Sequence, residues 1–302
     1  MPESIKFTNP LINADFPDPS VIFVPGDGYY AYATHDEFSP TVNNIQLSKS
    51  ADLVNWSEPV GALTEPPVWA KTCNKFWAPQ VIKVGDQYRL YYAAEPDTKD
   101  GMCLALAISD KPHGFIDIGK PLAQVPGSTY KMIDPCFFYD IKTGKNLLYY
   151  GSAHEPISVV ETADDGFSFI SKPEAVLQPK PGVKFETLRE GAFVTYQSKF
   201  DRYFLWVSGD NTWAENGYAV SVYWSENPMA EFLPIPYNHI ILKSTPQWDA
   251  PGQNCILTIN EEDWIVYHAV DPNDRYIKGT NQFKRKMCMS RVLYDAKGWP
   301  AL

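Results

Sequence analysis

Three acidic residues suggest chemistry by where they stand. Asp18 sits in FPDPSV (16–21), Asp134 in MIDPCFF (132–138) and Glu190 in REGAFV (189–194), each opening an apolar run. Two further stretches have the same cast with a neutral residue at the key position: FWAPQVI (76–82), with Ala78, and PGQNCIL (251–257), with Gln253. Singly, each acid has a bland reading, because Asp before Pro is a common turn residue and Glu before Gly can end a strand. Three in one phase of a repeat favour another. Carboxylates held close raise one another's pKa, so one stays protonated as an acid while another remains an ionised base. Hydrolysis of a glycosidic bond with inversion needs such a pair, about 6.5–9.5 Å apart, with room between them for the attacking water.

The elements that must position these acids follow from the repeat. The openings recur about every 56–63 residues, and a fixed period is the first organisational fact of a chain. Each section then runs in one order. An apolar strand (DPSVIFV, APQVIKV, DPCFFYD, EGAFVTY, QNCILTI) is followed by a turn and an aromatic strand (YYAYATH, YRLYYAA, LLYYGSAH, YFLWVSG, WIVYHAV). A third strand of small and β-branched residues comes next (NIQLSKS, CLALAIS, ISVVETA, YAVSVYWS, MCMSRVL), and VNWSEPVGAL, FIDIGKPLAQ and FSFISKPEAVL supply a fourth. No window shows a sustained helical period. These features predict an all-β chain, a single five-bladed β-propeller over 1–302 with four-stranded antiparallel blades around a central channel. The blades fall at roughly 16–75, 76–131, 132–188, 189–250 and 251–302, with no accessory domain. A β-sandwich is the competing reading of the same turn spacing. In a propeller the first strand of each blade lines the channel, so Asp18, Ala78, Asp134, Glu190 and Gln253 are expected to meet at one mouth.

Bulk composition narrows the ligand. Nine Trp, eighteen Tyr and sixteen Phe, with twenty-six Pro and eighteen Gly, suit short strands and turns. A formal net charge of -10 argues against nucleic acid and anionic membranes, both of which need clustered Lys and Arg. A neutral ligand that stacks on aromatic rings fits better. No apolar run reaches the roughly 18–20 residues of a membrane span. The opening MPESIKFTNP lacks the basic and apolar regions of a signal peptide, which leans toward an intracellular location. Five widely spaced cysteines without a CxxC pair read as buried thiols rather than a zinc site.

The ordered motifs, from NPLINADFPDPSV through FWAPQVI, IDPCFF and EGAFV to RKMCMSRVLYDAKGWP, resemble glycoside hydrolase family 43, the inverting five-bladed propellers that include α-L-arabinofuranosidases, arabinanases and β-xylosidases. The resemblance implies Asp18 as the general base that activates water. It implies Asp134 as the carboxylate that tunes the acid and orients the sugar, and Glu190 as the general acid on the leaving oxygen. Trp77 resembles the aromatic wall of a sugar pocket, against an equal reading as packing between blades. Arg285 resembles a fifth-blade arginine that holds a sugar hydroxyl and a carboxylate, while Arg291 reads as an inter-blade ion pair. Arg189 and His154 flank the site in sequence and read as solvated side chains rather than catalytic groups, and His268 reads as a satisfied core histidine. One departure bears on metal: the family's fifth blade usually opens PGH, and Gln253 stands at that histidine. Glutamine bonds a hydroxyl but cannot titrate and is a poorer transition-metal ligand. No cofactor is implied as required, and a structural calcium at the propeller axis is in doubt.

Polar segments around 35–44, 64–75, 95–101 and 209–217 are expected to wall the channel mouth into a pocket. That favours exo action on arabinan or arabino-oligosaccharides, with β-D-xylosidase as the alternative. A non-catalytic carbohydrate-binding propeller and a retaining fructosidase-like enzyme are the readings from other classes. The β-sandwich that many family xylosidases carry is missing after GWP, which leans toward arabinose.

Overall fold

The computed structural model describes residues 6–35, 38 and 42–302. Among them, strands are joined by turns, and the only helical element is a 3-10 turn at Ser198–Phe200. The strands form the expected antiparallel sheets in a ring. Blade one pairs Ser20–Val24, Gly28–Ala33, Gln46–Ser50 and Val60–Gly61 in sequence order. Blade two follows with Phe76–Val84, Gln87–Ala94, Cys103–Ser109 and Ile116–Asp117, and blade three with Cys136–Asp140, Lys145–Tyr150, Ile157–Thr162 and Glu174–Leu177. Blade four contributes Arg189–Gln197, Arg202–Asp210, Tyr218–Ser225 and Leu233–Pro234.

Middle strands are apolar on both faces because each blade is covered by its neighbours. Tyr91, Tyr92, Ala93 and Ala94 all lie buried in succession, as do Cys103 to Ala107, where a sheet with one wet face would alternate. One inter-blade device repeats. Tyr32 of blade one donates its hydroxyl to the Pro112 carbonyl of blade two at 2.6 Å, and Tyr149 of blade three donates to the Pro228 carbonyl of blade four at 2.6 Å. These bonds satisfy the polar end of a large ring that would be costly to bury unpaired. Four of the five cysteines are buried and Cys73 is half-buried, all of them free.

Blade five closes the ring with borrowed chain. Its own section supplies Asp249–Ile259, Glu262–Val270 and Arg285–Arg291, while Leu293–Tyr294 turns away to pair with Pro300–Ala301. The outer edge of Arg285–Arg291 is covered by the N-terminal segment. Ile12 bridges Met287, the Leu11 amide donates to the Met287 carbonyl at 2.8 Å, and the Phe16 amide donates to the Arg285 carbonyl at 2.8 Å. Asn9 brackets Met289, donating to its carbonyl at 3.0 Å and accepting from its amide at 2.9 Å. Leu11, Ile12 and Phe16 join Met287 and Met289 in one apolar cluster. Residues ahead of the first repeat thus serve the last blade, because Leu293–Tyr294 pairs elsewhere.

Asn9→Ala removes both bonds to Met289 and is expected to lower stability by about 1–3 kcal/mol, read as a lower urea midpoint at unchanged slope. An unchanged midpoint would mean that the Asn9 bracket does not help seal the ring.

Candidate active site

The innermost strands share one kink. In blades two, four and five the pairing skips a residue: Trp77 faces Ala93 and Gln80 faces Tyr91, Glu190 faces Ser208 and Phe193 faces Trp206, Gly252 faces His268 and Cys255 faces Val266. The first residue of each skip has a positive φ, 43° at Ala78, 63° at Gly191 and 47° at Gln253, and Asp18 and Asp134 match them at 57°. Such bulges re-aim side chains and recur beside active sites. Together with the residues that follow them, these five line a narrow axial cavity of about 20 Å³.

This corrects the expected phase. The ring position is Asp18, Ala78, Asp134, Gly191 and Gln253, and Glu190 stands one residue earlier, level with Trp77. Glycine at 191 leaves room for Gln253, since a Cβ there would meet the end of that side chain, Oε1, at 2.3 Å and displace it. The flanking prolines of Asp18 do not by themselves explain its backbone, since a residue before proline favours the extended region.

All six residues singled out from the sequence, Asp18, Trp77, Asp134, Glu190, Gln253 and Arg285, line one cavity of about 280 Å³ at the channel mouth. Asp18 Oδ2 accepts from the Thr34 hydroxyl at 2.5 Å, and Asp18 Oδ1 lies 3.5 Å from Arg285 Nη1. Burial works against its charge, but the Arg285 guanidinium, helped by the Thr34 hydroxyl bond, outweighs burial and lowers the Asp18 pKa to about 2. Glu190 takes the opposite direction. Burial raises its pKa, against hydrogen bonds from Tyr218 at 2.5 Å on Oε1 and from Ser152 at 2.8 Å on Oε2, while the Asp18 charge raises it further. Asp134 is pushed well above the ordinary carboxylate range by burial, then by the charges of Glu190 and Asp18. The Gly191 amide at 2.9 Å and the Gln253 side chain only partly offset this. Asp134 and Glu190 therefore titrate as a pair that holds a proton where an isolated carboxylate has lost its own.

The other expected residues fall on both sides. Trp77 lines the cavity and also packs on Ala93, Met102 and Ile133. His154 is exposed on a turn. Arg189 is not a solvated side chain: it is fully buried, bonds Glu186 at 2.6 Å and lies 4.7 Å over the Tyr223 ring. Arg291 pairs with Glu262 inside blade five rather than between blades. The cavity wall includes Thr212 and Trp213 from the expected 209–217 segment, and His35 and Phe38 from 35–44, of which residues 36, 37 and 39–41 lie outside the described residues. Segments 64–75 and 95–101 contribute nothing to the lining; Tyr130 and Gln282 stand there instead.

Thr34, Ser152, Tyr218 and His268 were missed as site residues. A signal existed for two of them: Thr34 and Ser152 are hydroxyls just beyond an aromatic second strand, in YAT and YYGS. Tyr218 gave none, being one aromatic among many. Among the described residues no group of three or more His, Cys, Asp or Glu is arranged to hold a metal ion, and Gln253 bonds Asp134.

Fold and site together define a five-bladed propeller with carboxylates set for acid and base work at one mouth. The profile described as glycosyl hydrolases family 43 matches residues 7–300, and the chain belongs to that family. An extracellular endo-α-(1→5)-L-arabinanase of Thermotoga petrophila is 28% identical over 251 residues, 70% of this chain and 49% of that protein. An extracellular exo-α-(1→5)-L-arabinofuranosidase of Cellvibrio japonicus is 22% identical over 320 residues, 95% of this chain and 86% of that protein. The chain thus spans about half the length of the first. A solved exo-1,5-α-L-arabinanase from a bovine ruminal metagenomic library shares the fold, with a TM-score of 0.79 at 20% identity over 98% of this chain and 99% of that one.

Two measurements test the electrostatics without turnover. In a carboxyl NMR titration, Asp18 should titrate near its lowered value of about 2, and Arg285→Met should move it upward by about 1–3 in pH; an unmoved value would remove Arg285 as the cause. Because the folded pKa of Glu190 lies above its unfolded value, its contribution favours folding below the unfolded pKa and is lost as pH rises through the folded one. Glu190→Gln is therefore expected to melt higher than wild type near neutral pH, with the gap closing toward about pH 4.

Proposed function

We propose that this chain is an inverting glycosidase of pentose-containing plant-type glycans, acting first on α-L-arabinofuranosides. The observation that carries the reading is the opposite movement of two carboxyls in one cavity, Asp18 down and Glu190 up. Such divergence assigns base and acid. Asp18, ionised, takes a proton from a water that attacks the anomeric carbon. Glu190 gives its proton to the leaving oxygen as that C–O bond breaks, so one water is consumed and the configuration inverts. Bond cleavage leads water attack in an oxocarbenium-like transition state, so a weak base suffices. Asp134 keeps a proton on the pair and is placed to meet a sugar hydroxyl, while Trp77 offers a ring face and Gln253 and Arg285 offer donors.

Exo action is supported by the small cavity, about 280 Å³, walled by Phe38, Tyr130 and Trp213. That volume sits at the low end of ligand pockets. The decisive assay sets 4-nitrophenyl α-L-arabinofuranoside, β-D-xyloside and β-D-galactoside beside linear arabinan, with the product anomer read by NMR. Release of single arabinose units with inverted configuration is expected. Preference for the xyloside would move the chain to β-D-xylosidase, and binding without turnover would make it a carbohydrate-binding propeller.

Glu190→Ala should keep activity on the nitrophenyl substrate, whose leaving group needs no proton, and lose about 10²–10⁴-fold on arabinan. Asp18→Ala should be inactive on both. Normal turnover of the activated substrate by Asp18→Ala would remove Asp18 as the base.

A further inference from the structure

His268 is fully buried in the second strand of blade five, yet both edges and one face of its ring belong to the site. Its Nδ1 accepts the Asp18 amide at 3.1 Å. An imidazole nitrogen that accepts carries no proton, so the hydrogen is on Nε2, which donates to Thr212 Oγ1 at 3.1 Å. Nδ1 is also 3.2 Å from Asp18 Oδ1, so protonating it would exchange the amide bond for a carboxylate bond and release the backbone of the base.

The ring face matters equally. Tyr218 stacks on His268 at 5.8 Å and 6°, and its hydroxyl is the one bonded to Glu190 Oε1. Gly252, paired with His268 across the strand, leaves that slot open: a Cβ there would lie 1.9 Å from Tyr218 Cε1. Beyond Thr212, Trp213 lies against the Arg285 guanidinium at 4.4 Å, and Arg285 returns to Asp18. One imidazole thus touches the base's backbone, the ring that positions the acid, and the loop that walls the cavity.

We propose that His268 is a positioning residue that fixes general base, general acid and substrate wall relative to one another. The inference rests on the hydrolase reading above. Its edge holds the left-handed Asp18 backbone that aims the carboxylate at the mouth. Its face sets the plane of Tyr218, and its Nε2–H tethers the segment bearing Trp213. A misplacement of about 1 Å in such a constellation costs on the order of 10²-fold in rate.

The test uses the full chain with 4-nitrophenyl α-L-arabinofuranoside and an arabino-oligosaccharide. Asn at 268 can present an acceptor where Nδ1 stands, whereas Gln reaches toward Thr212 and leaves the Asp18 amide unpaired. His268→Gln should lower kcat by about 10²-fold on both substrates, and His268→Asn should recover about tenfold of that with a raised KM. Thr212→Val, which leaves the imidazole in place, should raise KM about threefold to tenfold with kcat within about twofold, and Thr212→Ser should restore it. Equal kcat in His268→Asn and His268→Gln overturns the proposal, as does an unchanged KM in Thr212→Val. If neither His268 variant folds, the Thr212 pair decides. A wild type without glycosidase activity overturns the hydrolase reading and this inference together, while an active wild type with indifferent variants overturns this inference alone.

Discussion

Every blade puts one residue in left-handed backbone at the axis, within the innermost strand in blades two, four and five and just ahead of it in blades one and three. For Asp18, Ala78, Asp134 and Gln253 that conformation costs roughly 1–2 kcal/mol each, because a Cβ crowds the following carbonyl. The bulge it creates is what turns a strand edge into a mouth. Without it, side chains would alternate strictly between blade faces and none would be re-aimed at the opening. Blade four is the instructive exception. Glycine takes the left-handed position there, its amide bonds Asp134, and the residue before it delivers the carboxylate. The ring is five-fold in backbone and asymmetric in chemistry.

That asymmetry has an electrostatic logic. Three carboxylates share a buried mouth with one guanidinium, an arrangement that cannot support three charges at once. Arg285 sits beside Asp18 and settles which of them keeps its charge. Glu190, for which Arg285 ranks behind burial and the hydroxyl donors, and Asp134 receive hydroxyl, amide and carboxamide donors instead. Neutral donors moderate a raised pKa without reversing it. A charge at one carboxyl and a proton held by the other two as a pair follow from where a single cation was placed.

The ring architecture and the identities of the acids were legible in the sequence because a fixed period carries both. Asp18 and Asp134 stand before prolines in near-identical phrases, and the aromatic second strands recur in step. Glu190 was found with its phase misread by one, since Arg-Glu-Gly offers no proline to mark the kink and the crowding at Gly191 comes from Gln253, about sixty residues away in sequence but adjacent across the axis. His268 was read as a core histidine for a similar reason. Its burial was predictable, whereas its partners Asp18 and Thr212 come from other blades. Wall residues such as Tyr130 and Gln282 were missed because loops carry no period.

The borrowed strand of blade five also bears on when the protein becomes whole. Leu11 and Ile12 leave the ribosome well before their partner Met287, so the sealing contact waits for the last blade of the propeller. Asp18 waits equally long for Arg285 and His268. A nascent or truncated chain can assemble its early blades and still lack both the seam and the charge that sets the base. Assembly and competence are therefore one event: a copy without its last blade has neither a closed ring nor a working mouth.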